Sequence, residues 1–222
     1  MSDTGQPQLS RTELLRASVP LSRSRLVDRA VRVHHLTPVA IFLPAAAALA
    51  ALAVYRMGPL TALAWALGGY LLWTLDEYWT HRTLLHLEPE RGIGARLYWM
   101  FHGAHHDHPN NPRILSVPPI VSVPLALAFV GVFYLVFGSP AWLGVAAGFL
   151  AGYLAYDMTH YAVHHGKART RIGRRLREQH MRHHFQDDTR GFGVTAPYWD
   201  RVFGTALERG GRERPAPAPA PE

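Results

Sequence analysis

Apolar residues fall into four dense runs, and nearly all charged residues lie between or outside them. Residues 39–55 form an unbroken apolar stretch of 17 residues whose one proline is Pro44. After the turn-like Arg56-Met57-Gly58-Pro59, a second run covers residues 60–75. The third run, residues 114–137, is 24 residues long and carries Pro118, Pro119 and Pro124 in its first half. The fourth, residues 141–156, follows Gly138-Ser139-Pro140. A helix needs about 20 apolar residues to cross a bilayer. The second and fourth runs must therefore tilt, recruit flanking residues such as Trp79 and Tyr161, or form hairpins that do not fully cross. Four such runs exceed what the core of a small soluble bundle uses. The pattern predicts an all-α membrane protein with four transmembrane helices in two antiparallel hairpins, because runs joined by such short turns must double back.

Charge orients this plan. The net charge of +7 comes from 22 Arg and one Lys against 16 acids, and the sequence pI is about 10.1. Six basic residues precede the first run, four lie between the second and third, and twelve follow residue 156; only Arg56 sits at a closed hairpin end. By the positive-inside rule, both termini and the central loop are cytoplasmic. The expected division is a cytoplasmic N-terminal segment (1–38), an integral membrane unit (39–207) and a disordered tail (208–222) whose last eight residues are rich in Pro and Ala. The start of the chain has no apolar core for a cleavable signal peptide. The Arg-over-Lys bias suits a high-GC bacterium, hence a bacterial cytoplasmic membrane rather than the endoplasmic reticulum. Nucleic acid is excluded as a partner, since no recognition fold remains outside the apolar runs. The basic stretch 167–177 reads as an interfacial stripe meeting anionic lipid rather than a substrate clamp.

The mean hydropathy of −0.04 is thus an average over two materials, and the chemistry belongs to the polar one. With no cysteine, disulfides, Cys-ligated zinc, iron–sulfur clusters and cysteine nucleophiles are ruled out. Fourteen histidines stand out against that background. Twelve fall in four groups after the second and fourth runs, and therefore on one membrane face: His81 with His86; His102, His105, His106 and His108; His160, His164 and His165; and His180, His183 and His184. Helical positions i, i+3 and i+4 share a face, so His102/His105/His106 are expected to point one way, as are His180/His183/His184. His160 and His164 also share a face. His81 and His86, about 140° apart on an ideal helix, require a helix end or bend between them. Neutral imidazole is a good ligand for iron, zinc or copper. Ten imidazoles exceed the needs of one ion; two ions with about five each keep positions open for oxygen or water. His34 and His35 read as surface residues at the first membrane interface. His108 and His165 stand beside clusters complete without them.

Asp157, three residues before His160, and Glu77, four before His81, suit the role of outer-shell acceptors for ligand N–H groups. Asp76 and Glu77 alternatively cap the second membrane helix. No Glu-x-x-His pair exists, which excludes the soluble carboxylate di-iron site. Phosphate-loop, dinucleotide and serine-hydrolase signatures are also missing.

Four segments carry a resemblance: 77–86 (EYWTHRTLLH), 101–109 (FHGAHHDHP), 157–166 (DMTHYAVHHG) and 180–204 (HMRHHFQDDTRGFGVTAPYWDRVFG). In that order they resemble the fatty acid hydroxylase superfamily of membrane histidine-box oxygenases, with most similarity to fatty acid 2-hydroxylases, over roughly residues 60–207. The resemblance implies di-metal ligands at His81, His86, His102, His105, His106, His160, His164, His180, His183 and His184, the ten that spacing selects. It implies O2-dependent hydroxylation of a long-chain fatty acid or fatty acyl lipid at C2, with iron in turnover and zinc in the isolated protein. Many eukaryotic members carry a cytochrome b5 domain that this chain lacks, so a separate donor of cytochrome b5, ferredoxin or reductase type is expected to supply electrons. Residues 110–114 depart from the family pattern, which bears on the substrate pocket. Independently, His81 lies about six residues, or roughly 9 Å, beyond the second run, so the metals are expected near head-group depth and would meet carbons close to the acyl head. Trp65, Trp73 and Phe129 could line the tail's path or simply pack between helices. Alternatives are a sterol or carotenoid hydroxylase or a lipid desaturase of the same superfamily and, outside enzymes, a metal transporter or sensor. A transporter would place its ligands within the spans.

Overall fold

The computed structural model describes residues 9–207; the predicted tail, 208–222, lies outside the described residues. Every regular element among the described residues is helical. Two short helices, α1 (Arg11–Arg16) and α2 (Arg25–Val31), precede the long α3 (Thr37–Met57) and α4 (Pro59–Trp79). A cap follows, comprising α5 (Gly92–Tyr98), α6 (Ala104–Asp107) and two π-helical turns, after which come the long α7 (Pro119–Phe137) and α8 (Ala141–His165). The last elements among the described residues are α9 (Arg171–Phe185) and the short α10 (Tyr198–Val202).

Each apolar run becomes a long helix, and turn chemistry sets the boundaries. Gly58 alone separates α3 from α4 at φ 80, a value that favours glycine, and Pro59 then opens α4 where no amide donor is needed. Gly138, at φ 65, ends α7 in the same manner. The third run becomes helical only from Pro119. Residues 114–118 form an irregular segment instead, with Ile114, Leu115 and Ser116 buried, because a residue before proline is pushed out of the helical region. The fourth run is longer as a helix than as an apolar stretch, since α8 continues unbroken to His165 and carries His160, His164 and His165 on the same rod as the apolar segment.

The centre of the fold is the crossing of α4 and α8. Gly144, Gly148 and Gly152 form a stripe at intervals of four on α8, and a Cβ on Gly148 would overlap the Ala66 carbonyl oxygen. On the opposing helix, a Cβ on Gly69 would overlap the Val145 carbonyl oxygen. The backbones touch, which small residues permit and lipid-embedded helix pairs favour. Phe42 and Ala46 of α3 pack on Leu150, Tyr153 and Leu154 of α8, while Phe133 of α7 packs on Val145 and Phe149. The flanking helices α3 and α7 are each long and apolar enough to cross a membrane, and both leave most of their surface exposed. By contrast α8 packs against α3, α4 and α7 and is buried at every position but one from Leu143 to Leu154, while α4 keeps an exposed face that carries Leu63, Leu67 and Leu71.

The polar N-terminal segment is bound to the cap. Leu21 and Val31 pack on Ala104 and Ile114. The Val33 amide donates to Arg113 O (3.0 Å), and the Asn110 amide to Leu15 O (2.9 Å).

Candidate metal centre

Histidines reach the centre on extensions of α4 and α8, on the cap and on α9. Where α4 ends, the helix widens: Thr80–Leu85 is a π turn in which the His86 amide donates to His81 O at 3.1 Å. Closing the ring on i+5 instead of i+4 brings His81 and His86 onto one face, which is the bend their spacing demanded. A second π turn, Trp99–Gly103, presents His102 and leads into α6 with His105 and His106.

Ten imidazoles gather into two groups of five, within each of which the nearest ligand atoms all lie within 4.8 Å of one another. The first contains His81, His86, His102, His106 and His183; the second contains His105, His160, His164, His180 and His184. The expectation that each triplet points one way is overturned. His102 and His106 join the first group while His105 joins the second; His180 and His184 join the second while His183 joins the first. On a helix, i+4 lies about 40° to one side of i and i+3 about 60° to the other. A helix running between two sites therefore gives its i/i+4 pair to one and its i+3 residue to the other. The groups abut, with His106 and His184 stacked across the boundary at 4.2 Å between ring centroids.

The donor set suits cations. Nε2 atoms meet in pairs, His105–His160 at 3.0 Å, His164–His180 at 2.9 Å, His180–His184 at 3.1 Å, His86–His102 at 3.0 Å and His86–His183 at 3.1 Å. His81 Nδ1 donates to Phe192 O (2.6 Å) and His183 Nδ1 to Arg190 O (2.7 Å). Because a carbonyl only accepts, Nδ1 carries the proton in both, and each Nε2 presents a bare lone pair to the centre of its group. His81 Nε2 is buried with no hydrogen-bond partner. Burial holds His102, His105, His106, His180 and His184 neutral by lowering their pKa well below the usual value, and it lowers that of His81 to about 3. Neutral imidazoles with converging lone pairs are what a divalent ion takes as ligands.

The outer shell differs from the expected one. Glu77 accepts from the Thr195 amide (2.7 Å) and from the Thr195 hydroxyl, and Asp157 accepts from the Ser116 hydroxyl (2.9 Å). Carbonyls of the loop after α9 take the ligand N–H groups instead. That loop is organised by Asp200, fully buried, which accepts from the amides of Phe192 (2.8 Å) and Gly193 (2.9 Å) and from the Thr205 hydroxyl (2.9 Å). Thr205 in turn meets the Tyr78 hydroxyl at 2.9 Å, tying the loop to α4. Sequence reasoning missed Asp200 and the two carbonyls. The one available signal was an acid within the otherwise weakly charged stretch GFGVTAPYWD. In the second group the Nδ1 atoms of His105, His160, His164, His180 and His184 are all buried without a hydrogen-bond partner.

The remaining histidines stay apart. His108 Nδ1 donates to Leu14 O (2.6 Å) and so fastens α1, His165 packs on Tyr161, and His35 stacks on Tyr161 with His34 beside it.

A cavity of about 400 Å³ opens beside the first group. His81 and His102 form part of its wall, which continues along Trp73, Leu125, Phe129 and Phe149 into the helix bundle. No member of the second group touches it. Trp73 and Phe129 are thus lining residues, whereas Trp65 lies outside and packs edge-on against Phe137.

Comparison with known proteins adds an independent line. The fatty acid hydroxylase family profile matches residues 66–205. The chain is 35% identical over 137 residues to a dihydroceramide fatty acyl 2-hydroxylase of Arabidopsis thaliana, covering 62% of this chain and 58% of that protein. It is 36% identical over 196 residues to a ceramide very long chain fatty acid hydroxylase of Saccharomyces cerevisiae, covering 86% and 50%, and 39% identical over 144 residues to the fatty acid 2-hydroxylase of Homo sapiens, covering 62% and 38%. A solved structure of full-length scs7p, in which only the hydroxylase domain is visible, superposes with a TM-score of 0.79 at 31% identity, covering 86% of this chain and 73% of that one. The chain spans about half the length of the curated relatives it matches.

Proposed function

Because the chain belongs to the fatty acid hydroxylase family, we propose that it is a membrane di-metal oxygenase that hydroxylates a long-chain fatty acid or fatty acyl lipid at C2. The observation that carries this reading is a group of five converging imidazoles, two of which, His81 and His102, line an apolar cavity. His81, His86, His102, His106 and His183 would hold one ion, and His105, His160, His164, His180 and His184 the other. Bound there, redox-active ions would supply O2 activation, a chemistry open to iron and closed to zinc.

The protein's own residues bind, orient and exclude water. The apolar cavity wall, which includes Trp73, Leu125, Phe129 and Phe149, takes an acyl chain and offers water few polar partners. His81 and His102 meet the chain just beyond the end of α4, so the carbons nearest the acyl head lie beside the first group, in line with attack at C2. The Asp200-bound loop fixes the tautomer and tilt of His81 and His183 through backbone carbonyls. Glu77 holds the same loop through Thr195.

In this reading α3, α4, α7 and α8 cross the bilayer as two hairpins, with the histidine cap and both ends of the described chain on the cytoplasmic side. The concentration of basic residues at that end supports it. Electrons come from a donor of cytochrome b5, ferredoxin or reductase type, and the Arg-rich composition fits a bacterial cytoplasmic membrane. The test is lipid analysis of a host expressing the chain under ¹⁸O2. A 2-hydroxy fatty acid carrying ¹⁸O is expected. A new double bond, or a hydroxylated ring lipid without 2-hydroxy acid, overturns the reading.

A further inference from the structure

The basic stretch 167–177 borders a second groove, outside the metal centre. One face of α8 is left uncovered by the other long helices, and Ala155, Met158 and Ala162, at i, i+3 and i+7, form a floor along it. Ile172 and Leu176 of α9 form the opposite wall, and Ile172 is 71% exposed. The groove holds about 590 Å³. At its polar end stand Lys167 and Arg169, both exposed, with the exposed Arg171 alongside. The backbone that carries them is held, because Arg177 donates to Gly166 O (2.5 Å) and Arg174 to Arg169 O (2.8 Å), which pins the linker between α8 and α9. No carboxylate lines the groove. The ion pairs among the described residues, Arg32–Asp28 and Arg190–Asp187, do not involve these three cations.

An apolar trough with an uncompensated cationic rim has the two-part chemistry of an anionic lipid. We propose that this groove binds one anionic glycerophospholipid, with its phosphate on Lys167 and Arg169 and an acyl chain along Ala155, Met158 and Ala162. The trough runs down the flank of α8 from the histidine end toward its apolar segment, so a lipid entering laterally keeps its chain in the bilayer while its phosphate stays at head-group depth. This lipid is distinct from a substrate, since no ligand histidine lines the groove. An acidic protein partner would use the rim and leave the apolar floor empty. The inference rests on the membrane placement proposed above and is independent of the reaction.

The test uses the full chain purified into phosphatidylcholine nanodiscs doped with phosphatidylglycerol, with retained lipid counted by native mass spectrometry. Two variants separate the halves of the site. Lys167→Ala/Arg169→Ala removes the rim, and Ala155→Trp blocks the trough without changing charge. One retained phosphatidylglycerol per wild-type chain is expected, with retention falling about fivefold for each cation removed and by a similar factor in Ala155→Trp. Both variants should keep wild-type metal content and hydroxylation. Retention unchanged in both variants overturns the groove, as does loss in the charge variant alone, which marks a diffuse surface effect. Slower electron delivery in the charge variant with retention unchanged overturns it in favour of an acidic protein. A wild type that retains the lipid yet makes no hydroxylated product counts against the proposed reaction and leaves the groove standing.

Discussion

Of the two histidine groups, one borders the apolar cavity through His81 and His102, while the other, around His105 and His160, is closed off behind it. The first is also the tethered one. Two of its imidazoles donate to carbonyls of a loop that Asp200 organises, whereas all five Nδ1 atoms of the second are buried without a partner. A tethered imidazole keeps its direction when substrate or oxygen disturbs the site, and an untethered one relies on packing and on the ion itself. The group beside the cavity is thus the one the fold orients through hydrogen bonds. The enclosed group is oriented by the helical rods α8 and α9, which supply four of its five imidazoles.

The largest effect expected, and the sharpest way to break this comparison, comes from the residues that cross between groups. His183→Ala and His105→Ala each remove one ligand from a single group, and product formation should fall by about a thousandfold or more in each. Metal analysis should find each variant short of one ion, with the protein still in the membrane; full activity in either removes that histidine from the ligand set. Asp200→Asn comes next. Replacing a carboxylate oxygen with an amide donor faces N–H against N–H at Phe192 or Gly193, so metal affinity should fall about 10- to 100-fold at the first group only. Equal loss at both groups would mean that Asp200 supports the fold as a whole.

Acid should act on both groups alike. Burial lowers the folded-state pKa of His81 to about 3 from an ordinary value of 6.5, and it lowers those of His102 and His106 in the first group and His105, His180 and His184 in the second well below that value. Between those limits the unfolded chain binds more protons than the folded one, so stability rises with pH across that window and is lost as pH falls below about 6.5. Metal-stripped protein should therefore melt at a lower temperature at pH 5.5 than at pH 7.5. A melting temperature independent of pH would show that the histidines are not buried neutral. The smallest effects belong to the bystanders. His165→Ala and His108→Ala should change activity by less than about twofold in a product assay, since neither ring joins either group: His165 packs on Tyr161 and His108 bonds to Leu14 O.

Much of the plan could be read along the chain. Four apolar runs became four long helices, and the ten histidines chosen by spacing are the ten that the structure gathers. The demand for a bend between His81 and His86 is met by a π turn. Three features escaped. The triplets were expected to serve one site each, because a shared helical face was treated as a single direction although i+3 and i+4 diverge by about 100°. Glu77 and Asp157 were matched to the histidines by sequence proximity, yet Thr195 and Ser116, 118 and 41 residues away, reach those carboxylates in the fold. The Gly144/Gly148/Gly152 stripe sits within an apolar run, where periodicity gives no hint of which face meets another backbone.

By itself the sequence determined what depends on near neighbours: where helices can form, where glycine and proline end them, and which residue type must bind metal once cysteine is missing. These follow from local propensity, burial tendency and ligand chemistry, all carried by a residue and those within a turn of it. Only the tertiary structure decided how ten equivalent imidazoles divide into two groups, which group meets the cavity, and which distant carboxylate steadies which loop. Those outcomes depend on how α4, α8 and α9 cross and on where residues 190–205 return to the site. Such contacts join parts of the chain about 100 residues apart, a separation that no local pattern encodes.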